Sequence, residues 1–238
     1  MKSVDDTIRQ SLSSADAVLF DFDGPLCNVF AGLPAPTVTR QLEALTGRTF
    51  DTDDPLEVVR QAAEMGAVML AIVEDALVAA ELKAVSQSVA EAGGVSAVSA
   101  CLASGFGVGV VSNNSAPAVT AFLDVWDLAG SVAPVVGRVA GRPELMKPNP
   151  WPLRRALEQL EIAPERAVFV GDSTSDIEAA SRAGVPCLAF ANKPYKFALF
   201  EGTGAVVISS MWDLAAAVRE APRGSASAGV AEHGPDRW

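Results

Sequence analysis

Short apolar runs recur along the chain, and each ends in a polar or glycine-rich turn. They lie at residues 17–20, 108–111, 167–170, 187–190 and 205–208, with a weaker candidate at 133–136. Stretches with helical periodicity separate most of them, at residues 95–104, 115–126, 152–160 and 175–183. Such alternation is typical of buried parallel strands with helices between them. The sequence therefore predicts an α/β fold with a doubly wound, Rossmann-like parallel sheet, which binds ligands at the carboxyl ends of its strands.

One interval breaks this alternation. Residues 29–93 have helical periodicity and no convincing strand, with predicted helices at 36–45, 55–65 and 67–92 and a polar turn at 47–54. A helical segment inserted directly after the first strand stands over the end of that strand, where it can act as a lid. We therefore expect an α/β core domain of residues 1–28 and 94–221, a small all-α cap domain of residues 29–93, and a flexible tail of residues 222–238.

The charge balance and the apolar runs limit the partners of the chain. A formal charge of −11 over 238 residues argues against a nucleic-acid surface, because backbone phosphates are bound by Lys and Arg clusters. The longest apolar run, residues 66–73, is far shorter than a membrane span. Residues 1–16 contain acidic side chains and no apolar core, so no secretory signal is expected. We expect a cytoplasmic monomer or homodimer without nucleic-acid or membrane partners.

The cysteines and the histidine exclude several kinds of site. Cys27, Cys101 and Cys187 are scattered and odd in number, which disfavours a disulfide framework and a zinc knuckle. The sole histidine, His233, lies in the tail. A Ser-His or Cys-His hydrolase needs an ordered imidazole, and a His-ligated metal site needs more than one. The chemistry must therefore depend on carboxylates, hydroxyls, amides, Lys or Arg.

Two aspartates follow the first predicted strand directly. Asp21 and Asp23 flank the apolar Phe22 and precede a glycine-proline turn. Because side chains alternate along an extended chain, both carboxylates project from one face. Like charges this close become tolerable when a cation lies between them or when one of them holds a proton. Either arrangement is useful chemistry.

Three other clusters stand at the ends of predicted strands or before helices. Ser112 and Asn113 offer a hydroxyl and an amide that can bind phosphoryl oxygens or cap a helix. Lys147 lies among prolines that restrict its backbone, so it can neutralise the aspartates or remain a solvated charge. Asp172 and Asp176, four residues apart, can face the strand ends or serve only as helix-capping acids.

In this order, the four clusters resemble the motifs of the haloacid dehalogenase superfamily of phosphohydrolases, and specifically its phosphoglycolate-phosphatase-like branch with a helical cap after the first motif. The matching residues are Asp21-Phe22-Asp23-Gly24, Ser112 with Asn113, Lys147, and Gly171-Asp172-Ser173 with Asp176. The resemblance covers essentially residues 15–210. Pro25 departs from the Thr or Val often found at that position, and because it lacks an N–H we expect an altered turn into the cap.

The resemblance implies a Mg²⁺-dependent phosphatase that hydrolyses a small phosphorylated metabolite, a phosphate monoester, through an aspartyl-phosphate. Asp21 is then the nucleophile, Asp23 the general acid/base, and Ser112 and Lys147 the remaining catalytic residues. Ser112, Asn113 and Lys147 would also bind the substrate. All-oxygen ligation suits Mg²⁺, and the ion would be held by the following groups: Asp21, the backbone carbonyl of Asp23, Asp172 and Asp176.

Substrate identity is less constrained by the sequence. Arg40, Arg48 and Arg60 lie in the predicted cap, and Arg48, in the turn between cap helices, is the best candidate to bind a second anionic group. Surface solvation is the alternative for each arginine.

Several other functions stay open. A sugar-phosphate mutase keeps the same four motifs, and a phosphonatase of the superfamily uses a cap lysine, for which Lys83 is the sole candidate between residues 28 and 93. Asp23 favours phosphoryl transfer over the displacement of halide from carbon. A non-enzymatic phosphoaspartate signalling module or scaffold is the alternative from another class, although the receiver fold is about half this length and has no helical insertion.

Overall fold

A six-stranded parallel sheet forms the centre of the molecule, whose computed structural model describes residues 4–220. The strands of the chain are β1 (Ala17–Phe20), β2 (Cys27–Asn28), β3 (Val89–Ala90), β4 (Gly107–Val111), β5 (Val135–Val136), β6 (Ala167–Gly171), β7 (Cys187–Phe190) and β8 (Val206–Ile208). In the large sheet the order is β5-β4-β1-β6-β7-β8. Strand β1 lies at the centre, between β4 and β6. This position confirms the predicted doubly wound α/β fold.

The register of the three central strands aligns their carboxyl ends. Phe20, the last residue of β1, pairs with Val110 on one side and Val170 on the other. All three side chains are buried without exposed surface, which accounts for the apolar runs in the sequence. The residues that follow these strands therefore meet at one edge of the sheet.

Helices cover both faces of the sheet. The helices of the core are α1 (Val4–Leu12), α5 (Gly94–Ala103), α6 (Ala116–Val125), α7 (Trp151–Leu160), α8 (Thr174–Ala183), α9 (Pro194–Phe200) and α10 (Met211–Glu220). Val18 and Phe20 of β1 belong to the cluster that includes apolar side chains of α1, α5 and α10, while Leu19 packs with α7 and α8. The period-two alternation of β1 thus separates the two layers. The sequence pattern does not predict α1, α9 or α10.

Three helices fill the interval after β1, namely α2 (Ala35–Thr46), α3 (Pro55–Glu64) and α4 (Ala67–Val85). The predicted helix over residues 67–92 is too long, and the expectation of no strand in the interval is wrong. Ser86 and Ser88 donate their hydroxyls to the carbonyls of Lys83 and Val85, which ends α4. The chain then forms β3, which pairs antiparallel with β2 and so joins the two ends of the insertion.

A buried ion pair fixes α4 to the core. Arg138 Nη1 lies 2.8 Å from Glu81 Oε1, and the side chains are 2% and 0% exposed. Glu81 also accepts hydrogen bonds from Asn114 Nδ2 (3.3 Å) and from the backbone N–H of Ser115 (3.0 Å). Arg138 donates a further bond to the carbonyl of Asn113. The hydrogen bonds of Glu81 and Arg138 described here, apart from those between the two side chains, therefore all go to the segment that follows β4.

Two predictions concern features beyond the strands. The predicted flexible tail, residues 222–238, and His233 within it lie outside the described residues. Of the helices within residues 4–220, none has both the length and the apolar character that a membrane crossing requires.

Candidate active site

A cavity of about 600 Å³ opens at the carboxyl edge of the sheet. Strand β1 delivers Asp21 to it, β4 delivers Ser112, and β6 delivers Asp172. The residues that line the cavity are Asp21, Asp23, Phe30, Ala35, Thr52, Asp53, Asp54, Leu56, Ser112, Asn113, Asn114, Lys147, Asp172, Ser173, Ser175 and Asp176. The four sequence clusters thus meet in one place, as the parallel topology requires.

Lys147 is the positive centre of the cavity. Its Nζ atom lies 2.8 Å from Asp21 Oδ1 and 2.6 Å from Asp176 Oδ1, and it donates to the Val111 carbonyl at 3.1 Å. The side chain is 2% exposed. Burial disfavours the ammonium form, but the carboxylates of Asp176 and Asp21 outweigh it and raise the pKa of Lys147 above its ordinary value. Lys147 is therefore a permanent cation.

Asp21 is held so that its two oxygens differ. Oδ1 accepts hydrogen bonds from the backbone N–H of Phe22 (2.7 Å) and contacts Lys147. Oδ2 has no hydrogen-bond donor among residues 4–220. Burial and the neighbouring Asp176 raise the pKa of Asp21 well above its usual range, against the opposing effect of Lys147. One oxygen is fixed, and the other faces the cavity.

Asp176 orients the start of α8. Its Oδ2 accepts hydrogen bonds from the backbone N–H groups of Asp172 and Ser173, both at 3.0 Å, and from Ser173 Oγ at 2.7 Å. Ser173 in turn accepts from the Asp176 N–H, which completes a capping box. Asp176 therefore does not serve only as a helix-capping acid, because Oδ1 of the same carboxylate contacts Lys147.

Asp172 has two partners that the sequence analysis did not identify. Lys196 of α9 forms an ion pair with Asp172 Oδ2, and Asn192 donates to the same oxygen at 3.2 Å. Burial raises the pKa of Asp172 even though Lys196 opposes the shift. Both partners follow β7, whose carboxyl end lies at the same edge of the sheet. Applying the strand-end rule to β7 as well would have found them.

The turn after β1 presses directly against Asp172. Gly24 has a φ of +110°, and a Cβ atom there would lie 2.2 Å from Asp172 Cγ. The turn is closed by bonds from the N–H of Gly24 to the Cys27 carbonyl and from the N–H groups of residues 26 and 27 to the Phe22 carbonyl. None of them needs a donor at Pro25, so the turn forms without the missing N–H.

Asp23 is positioned by the start of the insertion. Its Oδ1 accepts a hydrogen bond from the N–H of Val29 at 3.0 Å. Burial raises the pKa of Asp23 to about 6, the Val29 bond opposes the shift, and the charge of Asp172 adds to it. A carboxyl group with this pKa exchanges its proton near neutral pH, as a general acid/base must.

The donor set fits a hard divalent cation. Carboxylate oxygens of Asp21, Asp172 and Asp176 lie within 4.8 Å of one another. Burial and, after it, the neighbouring Asp176 carboxylate raise the pKa values of Asp21 and Asp172, and a cation between the carboxylates would offset their repulsion. All-oxygen ligation is the preference of Mg²⁺ and Ca²⁺ rather than of softer metals.

Ser112 and Asn113 reach the cavity in different ways. Ser112 Oγ accepts a hydrogen bond from the N–H of Asn114 at 3.1 Å. The Asn113 side chain makes reciprocal bonds with the Lys147 backbone, donating to its carbonyl at 3.1 Å and accepting from its N–H at 2.8 Å. Asn113 therefore positions the Lys147 loop, a contact that the sequence analysis did not anticipate.

The structure does not bring two sequence-selected cap residues to the cavity. Arg48 is exposed in the turn between α2 and α3 and does not line it. Lys83 is exposed on α4, beside a separate groove between α2 and α4. The inserted segment faces the cavity with Thr52, Asp53 and Asp54 instead.

Comparisons with known proteins agree with this geometry. The profile of the family described as haloacid dehalogenase-like hydrolase matches residues 18–190. A phosphoglycolate phosphatase of Escherichia coli (strain K12) is 40% identical over 78 residues, which is 33% of this chain and 30% of that protein. The chain thus matches about a third of the length of such curated relatives.

Solved structures share the fold. A predicted phosphatase from Clostridium acetobutylicum superposes with a TM-score of 0.69 at 19% identity, covering 87% of this chain and 99% of that one. CbbY from Rhodobacter sphaeroides, solved in complex with phosphate, gives a TM-score of 0.65 at 20% identity and covers 83% and 95% of the two chains. At these identities the similarity concerns the fold alone.

Proposed function

The chain belongs to the haloacid dehalogenase-like hydrolase family, and from that premise we propose that it is a Mg²⁺-dependent phosphatase of small phosphate monoesters. We propose in addition that residues 29–93 form a cap over the cavity. One observation carries the proposal above the others. Asp21 has one oxygen fixed by Lys147 and the Phe22 N–H, and its other oxygen free at the cavity.

In the first half-reaction, Asp21 Oδ2 attacks phosphorus, and the bond between phosphorus and the ester oxygen breaks. An ionised carboxylate needs no separate base; burial raises the pKa of Asp21, and Lys147 together with a bound cation would oppose that shift and favour the ionised form. Asp23 gives its proton to the departing oxygen, so an alcohol leaves. The product is a phosphoryl group bound to Asp21.

In the second half-reaction, Asp23 accepts a proton from water, whose oxygen attacks the same phosphorus. The bond between phosphorus and Asp21 breaks, inorganic phosphate leaves, and both carboxyl groups return to their starting states. A single residue can serve both halves because its pKa of about 6 lies close to neutral. Ser112 and Lys147 donate hydrogen bonds to the transferring oxygens, which carry the developing charge.

A divalent cation bound by these residues would balance the excess negative charge of the carboxylates. Asp21, Asp172 and the backbone carbonyl of Asp23 would hold Mg²⁺, with Asp176 acting directly or through Lys147. The bound ion supplies a positive charge to the phosphoryl oxygens. Asp176 already accepts three hydrogen bonds on Oδ2, so its main task is to orient Lys147 and the start of α8.

The test is hydrolysis of p-nitrophenyl phosphate with and without Mg²⁺, together with acid quenching in the first turnover. We expect Mg²⁺-dependent release of phosphate and a phosphoryl group on the peptide that contains Asp21, measured by mass spectrometry. Phosphoglycolate belongs in the substrate panel because relatives carry that name. Absence of turnover with every ester would refute the phosphatase proposal and favour a scaffold.

Product analysis separates the phosphatase from the two related enzymes. A mutase returns an isomeric sugar phosphate, whereas a phosphatase releases inorganic phosphate. A phosphonatase needs an amine at the reacting carbon, and Lys83 lies away from the cavity lining. A receiver-like module would instead retain its phosphoaspartate for many minutes.

A further inference from the structure

The two walls of the cavity differ in chemical character. The core wall carries the reacting residues described above. The wall from the inserted segment consists of Phe30, Ala35, Thr52, Asp53, Asp54 and Leu56. This second wall faces the part of a substrate that lies beyond its phosphoryl group, because the phosphoryl group must contact Asp21. Its apolar and acidic side chains therefore determine which leaving group is accepted.

Within residues 4–220, the lining of the cavity holds no cation that is free to bind a second anionic group. Among the described residues that line it, Lys147 is the one cation, and its ammonium contacts Asp21 and Asp176. Lys196 is paired with Asp172, and Lys193, which lies close enough to lower the pKa of Asp23, is exposed and outside the lining. A carboxylate or second phosphate on the leaving group would meet acidic side chains without compensation.

Asp53 is the side chain of this wall that is available to a ligand. The turn that carries it is fixed by its neighbours: Thr52 Oγ1 accepts from the N–H of Asp54 at 3.0 Å, and Asp54 Oδ1 caps α3 by accepting from the N–H of Leu56 at 2.9 Å. Asp53 has no hydrogen bond or ion pair with any residue between 4 and 220. Its carboxylate is held at the cavity wall by a rigid turn and has no structural task there.

We propose that the substrate has a single phosphate and a leaving group without a second anion, and that Asp53 favours leaving groups that carry a protonated amine. The inference rests on the proposed phosphatase function and specifies its substrate class. Amino-alcohol phosphates fit this wall best, neutral polyol phosphates fit next, and phosphorylated carboxylic acids and bisphosphates are disfavoured. The physical cause is the Coulomb interaction between the leaving group and the acidic wall.

Three esters of nearly equal size test the order directly: 2-aminoethyl phosphate, 2-hydroxyethyl phosphate and phosphoglycolate. They differ in the charge of the leaving group and hardly in length. We expect kcat/KM to fall in that order, with about a tenfold difference between the first and the last. Raising the ionic strength is expected to shrink this ratio, because Asp53 is exposed and salt screens it.

The variant Asp53→Asn assigns the effect to one residue. It removes the charge and retains the shape, so we expect it to reduce the ratio of kcat/KM for the aminoethyl ester to that for phosphoglycolate by about threefold. Asp51→Asn is the matched control, since Asp51 is exposed in the same turn and does not line the cavity. The control should leave the ratio unchanged.

The outcomes separate the two levels of inference. Turnover of all three esters with phosphoglycolate equal or preferred would overturn the substrate class and leave the phosphatase intact. The expected order with an unchanged ratio in Asp53→Asn would overturn the role of Asp53. Failure of every ester, p-nitrophenyl phosphate included, would overturn the proposed function and this inference with it.

Discussion

Two buried clusters of charge stand on either side of the segment that follows β4, and they are built differently. In the Glu81 cluster, one carboxylate is balanced by Arg138, and both of its oxygens are hydrogen-bonded. In the Asp21 cluster, Lys147 lies between two carboxylates, and Asp172, which is paired with Lys196, stands close by, so three carboxylates face two cations. The first cluster is sealed, whereas the second opens into a cavity of about 600 Å³.

The difference distinguishes a structural ion pair from a reacting one. A buried pair that is balanced and fully hydrogen-bonded has no capacity left for a ligand, and removal of one partner leaves the other as an uncompensated charge. A cluster with more carboxylates than cations carries uncompensated negative charge, and binding of a further cation stabilises it. The two clusters should therefore respond in opposite ways to substitution and to metal.

The largest expected effect is on catalysis. Asp21→Asn should lower kcat/KM for p-nitrophenyl phosphate by roughly 10⁴-fold, because Asp21 is the proposed nucleophile. The free energy of unfolding, measured without metal in urea, should not fall, since the substitution removes one carboxylate from a surplus. Asp16→Asn, on the exposed turn before β1, is the control with retained activity. Marked destabilisation by Asp21→Asn would make Asp21 structural, like Glu81, and break the comparison.

The next effect is on stability. Arg138→Met leaves Glu81 buried without its cation, and we expect it to lower the free energy of unfolding by about 3–5 kcal/mol. Arg142→Met is the control, because Arg142 and its partner Glu144 are each 58% exposed, and pairs of that kind contribute about 0–1 kcal/mol. Urea denaturation of both variants measures the difference. Equal effects would mean that burial does not distinguish the two pairs.

Metal should stabilise one cluster only. At a Mg²⁺ concentration about 100 times Kd, the free energy of unfolding should rise by about 2.7 kcal/mol. Chelation by EDTA should reverse the increase, and Asp172→Asn should reduce it. Arg138→Met should retain the increment on its lower baseline. An increment that depends on Arg138 and is indifferent to Asp172 would reverse the assignment of the two clusters.

The smallest effect concerns the base of the insertion. Cys27 in β2 is fully buried, and burial raises the pKa of its thiol to about 12, with the Ser88 hydroxyl opposing the shift. At pH 8 the thiolate is therefore scarce, and iodoacetamide should label Cys27 slowly. Arg138→Met loosens α4 and should accelerate labelling by about tenfold. Equal rates, measured by peptide mass spectrometry, would show that the ion pair does not hold the insertion closed.

Much of the fold follows from local patterns in the sequence. Apolar runs fix the strands of the large sheet to within one or two residues, because a parallel strand is buried on both faces. Polar side chains directly after β1, β4 and β6 fix the edge at which Asp21, Ser112 and Asp172 meet. The capping box at Ser173 and Asp176 is likewise a local signal.

Other features depend on tertiary contacts that no local pattern records. Glu81 has the sequence environment of a solvated helix residue, and only the approach of Arg138 from a distant loop makes it a buried anchor. Arg48 has a charged side chain that can bind an anion, but its turn leaves it exposed to solvent. The β2–β3 ladder is too short for its strands to stand out, since each contributes two residues.

That short ladder brings the two ends of the insertion together. Cys27 pairs with Ala90 and Asn28 with Val89, so the chain leaves and re-enters the core at neighbouring points about 5 Å apart. The order of the large sheet does not depend on this segment, because none of its six strands lies within residues 29–93. An exchanged insertion would have to keep two contacts with the core. They are the ion pair with Arg138 and the hydrogen bond that Glu74 accepts from the N–H of Gly141. Under the proposed function, the insertion would set specificity while the residues at the edge of the sheet remain unchanged.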